Sequence, residues 1–245
     1  NIAFSRKPDW VTLALSDGLG SGVKANILAT LTTQIAIRML EDNLPLWEVV
    51  QTLSETLPVC AIRKVAYSTF AIAQFFSEGY ARVVEFDSPH AIVLRERKIQ
   101  PVTYEERVVD GKTIHETVLN LQEGDWVIFV SDGVLNAGIG GAYPLGWGWE
   151  LAAGFLEKHA HRGLTALQLA DKVAEAVSEL YLGKPGDDVS IVVIKVRHKQ
   201  VATVFTGPPA KGDADVQLVH RFVSRMGKLV VCGGTTAKIV AKHLG

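Results

Sequence analysis

The chain has 245 residues, which is enough for one large domain or for one domain with a small appendix. Hydrophobic residues make up 48% and charged residues 21%, a balance that excludes a largely disordered protein. The net charge of −1 excludes a general basic surface for nucleic acid, and two cysteines, Cys60 and Cys232, exclude a disulfide framework or a four-cysteine zinc site.

The sequence shows no membrane-spanning or secretory segment. Its longest uncharged stretch, residues 133–149, is interrupted by glycines and a proline and is too broken to cross a bilayer. No signal-peptide pattern opens the chain. We therefore expect a cytoplasmic protein that binds neither nucleic acid nor membrane. The chain begins with Asn1 instead of Met, which indicates that an upstream segment is missing.

Hydrophobic patterns predict an α+β domain, with helices grouped before and after a set of antiparallel strands. Residues 11–16 are apolar with little alternation, which is typical of a strand buried on both faces. Apolar residues then recur at helical spacing, predicting helices at 23–40 and 46–57. The remaining predicted elements are strands at 68–76, 80–86, 90–95, 112–121, 125–130 and 189–196, and helices at 149–159 and 165–182.

Short turns join several of these strands, at Glu78-Gly79, Ser88-Pro89 and Asp110-Gly111. Loops this short predict that the strands they connect are antiparallel neighbours. The apolar strand at 189–196 is expected to be central in its sheet.

The character of the chain shifts after Arg197, where Thr206-Gly207-Pro208-Pro209 reads as a linker-like break. We expect a main domain at 1–197 and a small α/β extension at 198–245, in which Cys232 is buried. The turn at Gly233-Gly234 before the last helix is interpreted as a packing turn, with an anion site as the alternative.

Aspartates stand where the apolar strands end: Asp17-Gly18, Asp132-Gly133 and Gly186-Asp187-Asp188. A bare carboxylate at the end of a buried strand is costly unless a cation or a donor compensates it. Brought together, such ends would form a pocket of hard oxygen ligands that suits Mg²⁺ or Mn²⁺. The alternative is that these aspartates cap helices or form turns. Asp110-Gly111, between charged segments, is assigned to a turn without function.

These blocks also carry a family resemblance, which covers roughly residues 1–197. In order and spacing they resemble the signature blocks of metal-dependent (type 2C) protein phosphatases, most closely the bacterial SpoIIE-like branch. The resemblance implies an α-β-β-α sandwich of two antiparallel sheets flanked by helices. It is carried by Ser16-Asp17-Gly18-Leu19-Gly20-Ser21-Gly22 with Ala25, by Ser131-Asp132-Gly133, and by Gly186-Asp187-Asp188 with Val189.

The resemblance further implies a serine/threonine phosphatase with two Mn²⁺ or Mg²⁺ ions. Asp17 would bridge both ions, the Gly18 carbonyl would bind one, and Asp132 and Asp187 would hold the second. Asp188 is a further candidate ligand or a neighbouring group. Catalysis would proceed through metal-activated water at Asp17 and Asp132. The implied substrates are small phosphoproteins in bacterial signal transduction, such as anti-anti-sigma factors or stress-signalling proteins.

Two departures from the family pattern leave alternatives open. Leu19 stands where the eukaryotic branch has a histidine proposed as general acid, and residues 1–10 offer only Asp9 in place of an upstream Gly-Asp block. One alternative is therefore a phosphatase fold that binds partners without turnover. A dinucleotide-dependent oxidoreductase is disfavoured, because Gly18-x-Gly20-x-Gly22 lacks the spacing of a dinucleotide fingerprint.

Overall fold

The computed structural model describes residues 1–18, 22–56, 68–141, 143–184, 186–198, 200–208 and 214–244. The chain divides into two compact units, Asn1–Arg197 and His198–Gly245. The middle of the first signature block, Leu19, Gly20 and Ser21, lies outside the described residues, as does Cys60.

The first unit contains ten strands and five helices within the described residues. In chain order they are β1 (Ile2–Arg6), β2 (Trp10–Leu15), α1 (Val23–Glu41), α2 (Leu46–Thr56), β3 (Phe70–Phe76), β4 (Tyr80–Phe86), β5 (Ile92–Arg95), β6 (Lys98–Ile99), β7 (Glu105–Val109), β8 (Lys112–Asn120), β9 (Trp126–Val130), α3 (Asp132–Leu135), α4 (Gly148–His159), α5 (Ala166–Leu180) and β10 (Ile191–Lys195).

The strands form two antiparallel sheets. The larger sheet has six strands in the order β1-β2-β3-β4-β8-β7, and the smaller has four in the order β10-β9-β5-β6. Strand β9 is buried along its whole length because every residue from Trp126 to Val130 is apolar and both faces of the strand are covered.

Three apolar cores hold the layers together and give the predicted α-β-β-α sandwich. One core lies between the two sheets, where Leu13 and Val83 of the large sheet pack with Phe129 of the small sheet. A second core lies under α1 and α2, and a third lies under α4 and α5. The α+β fold expected from the sequence is therefore confirmed.

Two expectations about strand neighbours were wrong. The Ser88-Pro89 turn does not join antiparallel neighbours, because β4 lies in the large sheet and β5 in the small one. Strand β10 is an edge strand and not a central one, and all five of its residues are only partly buried. An apolar run can line one buried face at an edge as well as two faces in the middle, so composition did not separate the cases.

The second unit is a small α/β arrangement with two strands and two helices in its described part. It consists of β11 (Ala202–Thr206), α6 (Asp215–Val223), β12 (Lys228–Cys232) and α7 (Gly234–Leu244), and the two strands pair in parallel. Cys232 is exposed, contrary to expectation, because four of the five residues in β12 remain open to solvent in this two-stranded sheet.

Candidate active site

Asp17 follows β2 at one end of the large sheet, and its main chain is fixed by the start of β3. Thr69 donates its backbone N–H to the carbonyl oxygen of Asp17 at 2.8 Å, and Gly18 forms an isolated bridge with Ser68. Gly18 also lies against α1, because a Cβ atom at this position would stand 2.3 Å from the carbonyl oxygen of Ala25. Only glycine fits this approach, so the Asp17-Gly18 block joins the strand closely to the first helix.

Buried hydroxyl groups support this strand end. The Oγ atoms of Ser16 and Ser68 are 2.6 Å apart, and the hydroxyl of Thr32 in α1 donates to Ser68 Oγ at 3.3 Å. All three residues are at most 2% exposed. Since buried polar groups are costly without partners, this network fixes where Asp17 leaves the sheet.

The electrostatic environment of Asp17 is the strongest chemical feature of this edge. Burial, followed by the negative charge of Asp132, raises the pKa of Asp17 from 3.8 to about 6, and Asp187 adds to the effect. The backbone N–H of Gly18, which donates to Asp17 Oδ1 at 2.8 Å, acts in the opposite direction. Two carboxylates from distant parts of the sequence therefore act on that of Asp17 at one end of the sandwich.

Asp132 follows β9 and opens α3, so its position is set by the small sheet. Its Oδ1 accepts the backbone N–H of Gly133 at 2.9 Å. A Cβ atom on Gly133 would stand 2.2 Å from the carbonyl oxygen of Asp188, so glycine is required for the two backbones to meet. The glycine after each strand-end aspartate therefore allows one part of the site to contact another.

Two residues without a predicted role fix the backbone where Gly133 meets the Asp187-Asp188 segment. Ser131 donates its hydroxyl to the Asp188 carbonyl at 3.0 Å and accepts the backbone N–H of Ser190 at 2.9 Å. Tyr181 donates its hydroxyl to the Gly133 carbonyl at 2.7 Å. Burial and then the charge of Asp187 raise the pKa of Tyr181, which keeps it a donor. The position of Ser131 next to Asp132 in the sequence could have indicated its role. Nothing in the helical pattern around Tyr181 indicated the contact of its hydroxyl with the Gly133 carbonyl.

The structure thus brings Asp132 and Asp187 within electrostatic reach of Asp17. Asp188 contributes its carbonyl group to the contact with Gly133, and its side chain is exposed. Within the described ranges, no group of three His, Cys, Asp or Glu side chains is arranged to hold a metal ion. The donor set nevertheless fits a hard divalent cation, because it consists of oxygen atoms whose mutual repulsion such an ion would relieve.

No helix among the described residues is long and apolar enough to cross a membrane.

Comparison with known families identifies the first unit. Residues 7–197 match the family model for Stage II sporulation protein E (SpoIIE). The chain belongs to the SpoIIE family. This membership confirms the resemblance seen in the sequence. A sequence comparison with curated proteins found no match.

Solved structures of PP2C-type phosphatase domains share the fold. The PP2C domain of SpoIIE from Bacillus subtilis, with a fragment of its regulatory domain, superposes with a TM-score of 0.67 at 18% identity, covering 82% of this chain and 59% of that one. The RsbU and RsbW domains of a Mycobacterium tuberculosis protein give 0.59 at 16% identity, covering 88% and 59%. RsbX in complex with magnesium gives 0.53 at 12% identity, covering 79% and 84%.

Proposed function

We propose that this SpoIIE family member is a metal-dependent serine/threonine protein phosphatase. The observation that carries the proposal is the convergence of the strand-end aspartates at one end of the sandwich, where Gly133 meets the Asp188 carbonyl and Asp17 lies within electrostatic reach of Asp132 and Asp187. Burial and the charges of Asp132 and Asp187 raise the pKa of Asp17 there. Proteins keep repelling carboxylates together at a cost, and perturbed acids of this kind cluster at functional sites. The magnesium complex of RsbX is consistent with a divalent ion in this fold.

In this proposal Asp17, the Gly18 carbonyl, Asp132 and Asp187 would hold two Mn²⁺ or Mg²⁺ ions, with Asp188 as a further candidate. Bound ions would supply an acidified water as nucleophile and neutralise charge on the phosphoryl group. No covalent intermediate on the protein is needed, and neither cysteine takes part.

The chain's own residues position the ligands. Ser16 and Ser68 fix the strand end that carries Asp17, and Ser131 fixes the segment that carries Asp187. Gly18 and Gly133 allow the backbones to approach. Removing any of these contacts would displace a carboxylate, and a displacement of about 1 Å can lower the catalytic rate about a hundredfold.

The substrate we propose is a phosphoserine or phosphothreonine on a small regulatory protein of bacterial signal transduction, such as an anti-anti-sigma factor or a stress-signalling protein. In the M. tuberculosis relative, an RsbU domain occurs in one protein with an RsbW domain. Such pairing of the phosphatase fold with a second regulatory domain supports a role among regulatory proteins. We also propose a cytoplasmic location for the protein.

The first test is Mn²⁺-dependent release of phosphate from a small aryl phosphate. We expect turnover in the wild type, loss on chelation, and loss in Asp132→Asn, because that variant keeps the Gly133 hydrogen bond but removes a metal-binding charge. Asp110→Asn is the matched control, since Asp110 lies in the β7–β8 turn. Full activity in Asp132→Asn, or strong loss in Asp110→Asn, would refute the assignment of the site.

The alternative is a regulatory module that binds phosphoproteins without hydrolysing them. It is favoured by the exposure of Asp187 and Asp188 and by the lack of a closed three-ligand cluster in the described residues. Binding of a phosphopeptide without release of phosphate at saturating Mn²⁺ would establish this alternative.

A further inference from the structure

A polar cluster interrupts the apolar layer between the two sheets at the end where Asp17 and Asp132 lie. It consists of Glu85, His90, Tyr104 and His115, and we call it the Glu85 cluster. Glu85 is fully buried, although the layer beside it is built from residues such as Ala71 and Val83. A buried carboxylate requires an explanation, because burying a charged group is costly unless it has partners.

His90 is the partner of this carboxylate. Its Nδ1 lies 2.6 Å from Glu85 Oε2, while the other oxygen, Oε1, accepts the backbone N–H of Ala91 at 2.9 Å and the hydroxyl of Tyr104 at 3.5 Å. The His90 ring stacks on Tyr104 at 4.2 Å and meets His115 edge-on at 4.9 Å. The ring is therefore held in one orientation from two sides.

The second ring nitrogen of His90 is available to a ligand. Its side chain is 45% exposed, and none of its hydrogen bonds to other described residues uses Nε2. Because Glu85 holds Nδ1, the hydrogen bond and the negative charge of this carboxylate raise the pKa of His90 against the opposing effect of burial. The protonated ring presents an Nε2–H donor with a positive charge, which suits an anionic oxygen.

Strand register places His90 at the same end of the sandwich as the proposed active site. In the large sheet Leu15, two residues before Asp17, is level with Ala71, which is level with Glu85. In the small sheet Ile92 is level with Ile128, so His90 is level with the end of β9, just before Asp132. Neighbouring strands are about 5 Å apart, so His90 lies about one strand spacing from the end of β9, and its partner Glu85 lies two strand spacings, about 10 Å, from the end of β2.

We infer that His90 is a substrate-positioning residue of the proposed phosphatase, whose Nε2–H binds an anionic oxygen of the phosphorylated substrate at the rim of the site. The inference rests on the proposed function. The anionic oxygen belongs either to the phosphoryl group or to an acidic side chain beside it, and the experiment separates these two sources.

Titratable groups from three other parts of the chain face His90 and bear on its pH dependence. Glu85 comes from β4, Tyr104 from the segment before β7, and His115 from β8, with Glu106 of β7 beside it at 3.7 Å. Burial and the charge of Glu85 raise the pKa of Tyr104, so this ring stays neutral. The positive charge on His90 is therefore lost only when His90 itself releases its proton.

The test compares wild type with His90→Gln at about pH 6 and about pH 9, on either side of the histidine range. At the lower pH we expect the variant to raise KM about tenfold with kcat changed less than about twofold, because a charged hydrogen bond to substrate is lost. At the higher pH the two proteins should have the same KM. The ratio of the two KM values at each pH cancels the titration of groups shared by both proteins.

The substrates separate the two sources of the anion. An effect with a small aryl phosphate assigns the contact to the phosphoryl group. An effect confined to a phosphopeptide with acidic neighbours, and absent when these are alanine, assigns it to the flanking carboxylate. His161→Gln, an exposed histidine beyond the C-terminal end of α4, is the matched control and should match wild type. Unchanged KM in His90→Gln with every substrate would overturn the inference.

Two further experiments keep the inference testable. A double variant addresses loss of folding in His90→Gln, and a binding measurement addresses failure of the proposed activity. The double variant Glu85→Gln/His90→Gln removes the buried charge that His90→Gln alone would leave unpaired. In wild type, titration with phosphoserine should shift the NMR signal of His90 Nε2 and leave that of His161 unchanged. Absence of turnover would count against the phosphatase proposal alone, whereas an unmoved His90 signal with a bound phosphopeptide would count against this inference alone.

Discussion

Replacing Asp17 with asparagine should stabilise the protein when no metal ion is present. The pKa of Asp17 is 3.8 in an unfolded chain and about 6 in the folded protein. The folded state therefore holds the proton more tightly, so the free energy of unfolding falls as pH rises from about 4 to about 6 and stays low above that range. The asparagine side chain would carry no charge and would escape this loss, while its Oδ1 could still accept the Gly18 N–H.

The magnitude follows from the shift. About two pKa units correspond to about 3 kcal/mol for a fully buried group. Asp17 is partly exposed, and solvent screening reduces the expected gain to about 1 kcal/mol. Divalent ions should reverse the order, because ligand binding stabilises only the protein that retains the carboxylate, by about 3 kcal/mol at a hundredfold excess over Kd.

The assay is urea unfolding in the presence of a chelator, followed by tryptophan fluorescence. All five tryptophans lie in the first unit, so the signal reports on the unit that contains Asp17. Asp110→Asn should reproduce the wild-type curves, because Asp110 has φ of 49° in a turn and asparagine adopts this conformation well. The reasoning fails if Asp17→Asn is less stable than wild type above about pH 7, or if the difference does not shrink toward about pH 4.

Two further predictions concern a close backbone approach and a buried ion pair. Gly133→Ala should lower the free energy of unfolding by about 1–3 kcal/mol and reduce turnover, because the added methyl group would meet the Asp188 carbonyl. The control is Gly154→Ala in α4, whose methyl group would meet nothing within 4 Å. This control should raise the free energy of unfolding by up to about 1 kcal/mol. Equal effects in urea unfolding would contradict the proposed close approach. Arg95→Ala should cost about 3 kcal/mol by leaving Asp125, 1% exposed and paired with Arg95 at 2.8 and 3.0 Å, without its cation. Adding Asp125→Asn should restore part of that loss, and a loss below about 1 kcal/mol would show that the pair contributes little.

Local sequence patterns predicted most of the elements that carry the site. The helices at the start of the chain begin at the residues that the apolar periodicity gave, Val23 and Leu46, and β4 has the predicted bounds. Strands β1, β6, β7 and β11 were missed. The first residues of the chain alternate exposed and buried positions at a sheet edge, and β7 is largely exposed, so neither has an apolar run to mark it.

Long-range pairing decided what local patterns could not. Ser88-Pro89 resembles a hairpin turn, yet it carries the chain from one sheet to the other, and only the register of β4 and β5 shows this. The same crossing places His90 beside the buried Glu85, whose sequence position within a strand gave no sign of burial. For Cys232 the error was the opposite one: the sequence predicted burial, but an apolar strand in a two-stranded sheet stays open to solvent.

The sequence by itself determined the family, the α+β class and the aspartates to be tested, because each depends on residues close together in the chain. Only the tertiary structure decided which carboxylates repel one another, which glycines are required and where a charged histidine stands. Burial and electrostatic interaction depend on separation in space, and Asp17, Asp132 and Asp187 become neighbours only when two sheets pack face to face.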